Sequence, residues 1–400
     1  MGSYLQSSLD AVQTWVESHN YKGYDPGDGL TSFLRPLTGG SLFAERILQQ
    51  AVWKSPVNVR RFVGVAPLDS TKGRGFMAAG FVRRYLASGD NAYRAKAEAC
   101  LAWLDSAREA GHAGHCWGNH FDFTTRSGRM PAHTPTIVWT SLIGHAFLDA
   151  YEAFGDALYL EIAESVCRWI LSLPREETST GACLSYTALG QNSVHNSNLL
   201  GAGMLARTWK HCPREEFRAV AREAVRYTCH RQLASGAWWY GEHPKYHWID
   251  SFHTGYNLDS LKFYADSTGD RSFEPQIASG YAFFAKTFFE ASGRAHYYHD
   301  RVYPIDIQCA AQAIDTFCLF AGHDADALEQ AQRIASWTIA HLQDDEGYFY
   351  YRRYRFFTAR TPYFHWGQAT MFRALSHLAL RCSPPPRAPA KRPAANPLAS

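Results

Sequence analysis

The sequence predicts an all-helical ring, an (α/α)6 toroid of six inner and six outer helices, and three observations carry that expectation. The first is a repeated helix junction. Gly-Asp, with an aromatic three residues after the Asp, occurs at Gly89-Asp90…Tyr93, Gly155-Asp156…Tyr159 and Gly269-Asp270…Phe273. Gly suits the left-handed residue that ends one helix, and Asp suits the N-cap of the next. The second is a face that recurs: ten residues after each aromatic stands another, Trp103, Trp169 and Phe283, and Phe217 to Tyr227 keeps that spacing. The third is a loop phrase, Gly followed by aromatics. Its six copies are Gly23-Tyr24, Gly114…Trp117, Gly181…Tyr186, Gly236…Trp238-Trp239-Tyr240, Gly293…Tyr297-Tyr298 and Gly347-Tyr348-Phe349-Tyr350. Their successive spacings are 91, 67, 55, 57 and 54 residues, the size of a helical hairpin with one long loop.

Taken in order, an outer helix near 5–19 runs into the Gly23-Tyr24 loop. An insertion at 30–72 accounts for the long first spacing. An inner helix near 74–88 ends at Gly89, and an outer one at 91–110 starts from Asp90. The pairs 134–154 with 157–173 and 196–210 with 214–233 follow, the latter turning at Pro213. Next come 252–268 with 271–291, turning at Gly269, and 304–321 with 325–342. The last inner helix, 363–380, has no following partner and the first outer helix no preceding one, so pairing them closes the ring. Residues 1–382 read as a single toroid domain and 383–400 as a disordered Pro/Ala-rich tail.

The connections are unequal. Turns from inner to outer helices are short and define a back face. Loops from outer to inner helices are long, at 20–30, 111–133, 174–195, 234–251, 292–303 and 343–362, and define a front. Most of the unusual residues fall in these loops, so one aromatic- and carboxylate-lined cavity is expected there. Inner helices start at the front, and their free N–H groups favour anions at the mouth. Arg126, Arg129, Arg301, Arg352, Arg353 and Arg355 add to this, which points to an acidic ligand.

Composition excludes several classes. At 46% hydrophobic and 19% charged the chain is globular, and a net charge of +3 without a basic run argues against nucleic acid. The nine cysteines contain no CxxC and read as buried free thiols of a reducing compartment. No signal peptide and no membrane span is apparent, so a cytoplasmic location is expected. There is no Gly-rich phosphate loop, no GxSxG elbow, no HExxH and no zinc-spaced Cys/His set, so no cofactor or metal is expected.

The densest chemistry lies at Tyr240-Gly-Glu242-His243, Trp248, Asp250, His253, Tyr256 and Asp259, with Trp239 just before. Asp250, His253 and Tyr256 share a helix face, and His253 is a plausible general base or acid because the reference pKa of histidine lies near neutrality. Alternatively Asp250 is simply an N-cap. Tyr24-Asp25 and Asp28 form an acidic turn, which turn chemistry alone also explains. Trp117, His120 and Asp122 sit in the second front loop. Tyr303 and Asp306 open one inner helix, and His365 and Trp366 another. The plain reading of each is cap and packing.

The six Gly-aromatic loops on a ring of helix pairs resemble the (α/α)6 toroids of carbohydrate-active enzymes: glycoside hydrolases, unsaturated-uronyl hydrolases, polysaccharide lyases and sugar epimerases. More narrowly, Tyr21–Gly29 and His253-Thr-Gly-Tyr-Asn-Leu-Asp259 resemble bacterial proteins linked to surface-polysaccharide biosynthesis. The resemblance implies a sugar or oligosaccharide partner, with aromatic faces stacking on sugar rings and Arg353 near an acid group. A glycoside hydrolase-like enzyme would draw on Asp25, Asp122, Glu242, Asp250 and Asp306. A uronate lyase or epimerase would use His253, Tyr256, His120 and His365. A terpene-cyclase-like enzyme would share the aromatic cavity, but DxDD is absent and Asp344-Asp345 lacks the DDxxD context. A non-catalytic glycan-binding protein is the remaining alternative.

Overall fold

The computed structural model describes residues 3–125 and 128–383 and shows the toroid. In chain order the helices are α1 (Ser3–Ser18), α2 (Leu42–Lys54), α3 (Thr71–Ser88), α4 (Asn91–Ser106), α5 (Ile137–Phe154), α6 (Ala157–Leu171) and α7 (His195–His211). They continue as α8 (Glu215–His230), α9 (Ser251–Thr268), α10 (Glu274–Thr287), α11 (Ile307–Phe320), α12 (Ala327–Leu342) and α13 (Thr370–Cys382). The inner helices are α3, α5, α7, α9, α11 and α13, each touching the next, with α13 back against α3. At that closure the Phe81 and Phe372 rings meet at 4.8 Å. Gly80 lies so close that a Cβ there would stand 2.5 Å from the Phe372 ring. Outside it, α1 packs on α12 and α13, and Gln343 and Ser8 bond side chain to side chain at 2.6 Å.

The repeated junctions do what their residues dictate. Gly89, Gly155 and Gly269 take left-handed φ of 73°, 74° and 71° as helix C-caps. Asp90 and Asp156 cap α4 and α6 by accepting from the N–H of Ala92 and Leu158. At Asp270 the same bond forms but the helix begins later. Asp270 accepts from Ser272 N–H and the Tyr264 hydroxyl, and α10 starts only at Glu274, with a proline in its first turn.

The loop glycines have a different cause: close approach to the next outer helix around the ring. A Cβ on Gly114 would fall 1.9 Å from the Ser165 carbonyl oxygen of α6. Gly181, Gly236 and Gly293 lie in the same way against α8, α10 and α12. Gly347 lies against α1, where a Cβ would be 2.8 Å from the Ala11 carbonyl oxygen, so the repeat carries on across the ring closure.

Two features are additions to the helical pattern. The front loops form short strands, β1 (Phe123–Thr125) with β2 (Gly128–Met130), β3 (Arg175–Thr178) with β4 (Gly181–Leu184), and β5 (Ile305–Asp306) with β6 (Arg352–Arg353) and β7 (Thr358–Ala359). The insertion holds α2 between single turns of 3-10 helix at Arg35–Thr38 and Arg60–Val63. It is clamped to the ring by the buried Arg60–Asp28 pair (2.8 Å), Gln49 Nε2 to the Thr124 carbonyl (3.1 Å), and Trp53 Nε1 to the Tyr351 hydroxyl (3.0 Å). Seven of the nine cysteines are buried, and all nine are free thiols. The tail predicted to be disordered lies, from 384 onward, outside the described residues, as does Arg126.

Candidate active site

Two histidines at the starts of two inner helices define the front of the ring axis. His253 stands in the first turn of α9. Its Nδ1 donates to Asp250 Oδ2 at 2.7 Å. Asp250 is wholly buried, and it does two jobs at once: Oδ1 caps α9 by accepting from His253 N–H (3.0 Å), while Oδ2 also accepts from Trp248 Nε1 (2.9 Å). His365 stands in a π-helical turn, Phe364–Ala369, that leads into α13. Such turns are uncommon and gather at functional sites. His365 Nδ1 lies 2.7 Å from Asp25 Oδ2, and Asp25 Oδ1 accepts from Gly27 N–H. Burial works to raise the Asp25 carboxyl, but the neighbouring His365, the Gly27 amide and Lys72 outweigh it and hold it below the usual carboxylate range. A carboxylate at Nδ1 selects the tautomer that leaves a lone pair on Nε2. Among the described residues, no hydrogen bond occupies Nε2 of either ring.

Aromatic contacts join the two dyads. The Phe252 ring, next to His253, meets the Trp366 ring, next to His365, at 5.6 Å. Tyr240 lies 4.6 Å from the His253 ring and stacks on Trp248 at 4.4 Å. On the His253 side is a hollow of about 10 Å³, lined by Asn196, Trp239, Tyr240, His253 and Asn257 among others but not by His365 or Trp366. Two buried amide oxygens at this lining, Asn196 Oδ1 and Asn257 Oδ1, have no hydrogen-bond partner, and neither has Gln308 Oε1 nearby. The Gln308 amide instead donates to the buried Tyr256 hydroxyl at 3.3 Å. Burial raises the Tyr256 phenol well above its ordinary value.

Lys72, in the first turn of α3, completes the cluster. Its ammonium lies 4.9 Å from the Trp139 ring, and Trp139 in turn lies 6.0 Å from the His365 ring. Burial lowers the Lys72 pKa to about 7 against the pull of Asp25, with Arg373 adding to the fall. Lys72 and Trp139 are absent from the sequence-based candidates. The signal was available: a lysine at the N-terminal end of a helix opposes the dipole and calls for a local reason.

Other candidates go elsewhere. Trp117 is fully buried between α4 and α5, stacked on Phe147 and bonded to the Leu104 carbonyl, so it is a packing residue and not a sugar platform. Asp122 pairs with Arg35 of the insertion and Ala132 N–H. Glu242 is held by His195 (2.8 Å) and Arg231 (3.2 Å) at the surface. Asp28 serves Arg60, whose guanidinium covers the Tyr24 ring at 5.4 Å. His120 bonds the Asp69 carbonyl. Asp306 is buried under Arg352 (2.7 Å) and Trp366 Nε1 (3.2 Å). Tyr303 and Arg353 line a separate cleft of about 160 Å³ with Trp337 and His341 of α12.

A cavity on the ring axis corrects the expectation of a single front opening. It holds about 390 Å³ and is lined at the C-terminal halves of the inner helices, by residues such as Leu86, Glu152, Lys210, Asp266 and Leu380. It therefore opens at the back. Its wall is an ion-pair network: Asp315 with Arg83, Arg373 and His377, and Arg207 with Asp149 and Glu152. Asp259 belongs here, bonded to Gln312 at 2.7 Å. The front is narrow because the aromatic loops and the insertion close over it.

No protein-family model and no curated protein matches the chain. Solved structures share its fold. A sugar epimerase from a ruminal bacterium superposes with a TM-score of 0.60 at 13% identity, over 80% of this chain and 90% of that one. A GH76 alpha-mannanase from Bacteroides thetaiotaomicron gives 0.61 at 13%, over 77% and 85%. Cellobiose 2-epimerase from Bacillus thermoamylovorans gives 0.57 at 11%, over 79% and 90%. At these identities the likeness is one of fold, and on that ground the chain is an (α/α)6 toroid of the kind on which these sugar-acting proteins are built.

Proposed function

We propose that this protein is a carbohydrate-active enzyme of the epimerase or isomerase type, moving a proton at a sugar carbon next to a carbonyl. The observation that carries the reading is the pair of Asp-backed imidazoles, His253–Asp250 and His365–Asp25, with both Nε2 positions open. Proton transfer at carbon needs a base to take the proton and an acid to return it, each titrating near neutrality. One imidazole would remove the proton from C2 of the open-chain sugar, giving an enediolate. The other would return it to the opposite face of C2, or to C1. Lys72, near pKa 7, is suited to the developing oxyanion. The unpartnered oxygens of Asn196, Asn257 and Gln308 are acceptors of the kind sugar hydroxyls require.

The glycoside hydrolase reading finds less support in the geometry. It needs two carboxyl groups flanking a bond, one of them protonated. Asp25, Asp122, Glu242, Asp250 and Asp306 are each already engaged by an imidazole, a guanidinium or an indole. An acidic sugar, such as a uronate of a bacterial surface glycan, fits Lys72 and the inner-helix N-termini.

The test is incubation with neutral and uronate sugars in D2O, followed by proton NMR. An epimer or isomer with deuterium at the exchanged carbon is the expected result. New reducing ends without deuterium would mean hydrolysis, and ultraviolet absorbance of an unsaturated uronate would mean a lyase; either would replace this reading.

A further inference from the structure

The insertion wears its helix inside out. α2 buries Glu45, Gln49 and Val52 against the ring and exposes Leu42, Phe43, Arg46 and Ile47. The buried polar atoms have partners: Glu45 takes Arg35 and Arg129, and Gln49 bonds both Thr124 N–H and its carbonyl. The fold therefore uses polar side chains to hold α2 down and presents apolar ones to the outside. The pattern extends beyond one helix. Phe62 is 83% exposed, Leu37 82%, Phe43 74% and Phe33 64%. Phe356, at the tip of the β6–β7 hairpin, is 88% exposed. Among the described residues, all but four of the exposed large hydrophobics lie in the insertion or on this hairpin. They form one surface. The Phe33 ring covers Gly64, Ser32 bonds the Val63 carbonyl, and Arg35 pairs with Glu45 of α2. Trp53, Val63 and Tyr354 share a small hydrophobic cluster that ties the hairpin to the insertion.

The charge on this surface has one sign. Arg46, Lys54, Arg61 and Arg355 are exposed, and no ion pair among the described residues engages them. Across the insertion, 30–72, and from 351 to 362 the acidic side chains are Glu45, which is buried, and Asp69, which pairs with Lys22 and Arg74. Apolar side chains interleaved with arginine and lysine, with no exposed acid, complement an anionic lipid interface: the hydrophobic tips enter the acyl boundary and the cations meet the headgroups.

We propose that the insertion and the β6–β7 hairpin dock this protein on the surface of an anionic lipid bilayer, peripherally and without spanning it. The insertion that would dock packs beside the front site, since its buried Arg60 bonds the Asp25 carbonyl next to His365. The inference concerns binding alone and stands whatever reaction the site performs.

The experiment is co-sedimentation of the full chain with phosphatidylcholine vesicles, with and without phosphatidylglycerol. Binding to the anionic vesicles, weakened by salt, and little to the neutral ones is the expected result. Arg46→Glu with Arg61→Glu should weaken it roughly tenfold or more, and Phe43→Ser with Phe62→Ser should abolish it. These side chains are exposed, so circular dichroism and melting should match the parent. Absence of vesicle binding, or equal binding to both lipids, overturns the proposal. So does a concentration-dependent dimer that the two Phe→Ser changes dissolve while vesicles go unbound, for then the surface belongs to a second copy.

Discussion

Asp250 could be read from the sequence as an N-cap or as a catalytic group, and in the fold it caps α9 and also holds His253. One oxygen holds the start of α9 and the other orients His253. The two roles separate by substitution. Asn caps as well as Asp but presents an amide where His253 Nδ1 and Trp248 Nε1 require an acceptor. Asp250→Asn should therefore fold normally and lose roughly 10²–10⁴-fold in kcat, as should His253→Gln and His365→Gln, with KM little changed. Asp250→Ala should also lose about 1 kcal/mol of stability, read by urea denaturation. Unchanged turnover in the Asn variant would reduce Asp250 to a cap. Lys72 offers a second test. Its folded pKa of about 7 lies below the unfolded lysine value of 10.5, so the folded state releases a proton that the unfolded state keeps. The cost of burying the ammonium is full below pH 7 and fades as pH rises toward 10.5. Lys72→Met should therefore melt higher than the parent at pH 6, with the gap closing in alkali, while turnover is lost.

At the scale of elements, the periodic features were legible and the buried polar ones were not. Gly-Asp turns, helix order and the six loops follow from local chemistry. Five of the six loop glycines reflect close approaches to outer-helix backbone, and Gly23 one to the Phe364 side chain, a cause that only the assembled ring reveals. α10 starts late although Asp270 accepts from Ser272 N–H as Asp90 and Asp156 do from Ala92 and Leu158, because Pro275 has no N–H to carry the helix ladder back to Arg271. α2 could not be oriented from its pattern, since apolar spacing in 42–52 would ordinarily mark the buried side. Its placement rests on partners far away in sequence, above all Arg60 on Asp28. Removing one member of a buried pair strands the other. Asp28→Ala should cost roughly 3–5 kcal/mol in urea denaturation, whereas replacing Asp28 and Arg60 together by Leu should cost much less. Equal losses in both variants would mean that shape, not charge, holds the insertion.

At the scale of the molecule, the closed ring was legible because a repeat with no free partner at either end has one economical solution. The polarity of its axis was not. Arg83, Asp149, Arg207 and Asp315 lie in the C-terminal halves of their inner helices, where a sequence reads charged residues as solvated helix ends, and Arg373 lies in the first turn of α13. In the ring they converge on one cavity and tie α3 to α11 and α13, and α5 to α7. A closed ring of helices has an inside that no single helix shows. Asp259 reports on that inside. Burial, and then the charge of Asp315, raise its carboxyl to about 7, against the opposing pull of Thr316, Gln312 and Arg373. A carboxyl whose folded pKa exceeds its unfolded one keeps its proton longer in the folded state, so its ionisation costs stability as pH rises. Asp259→Asn retains the acceptor for Gln312 and cannot ionise. The variant and the parent should denature alike near pH 4. The variant should then gain on the parent as pH rises toward 7, and the difference should stay level above that. A difference that instead grows toward acid would mean that Asp259 is held as a carboxylate by Arg373, and that the back cavity carries more net negative charge than its ion pairs imply.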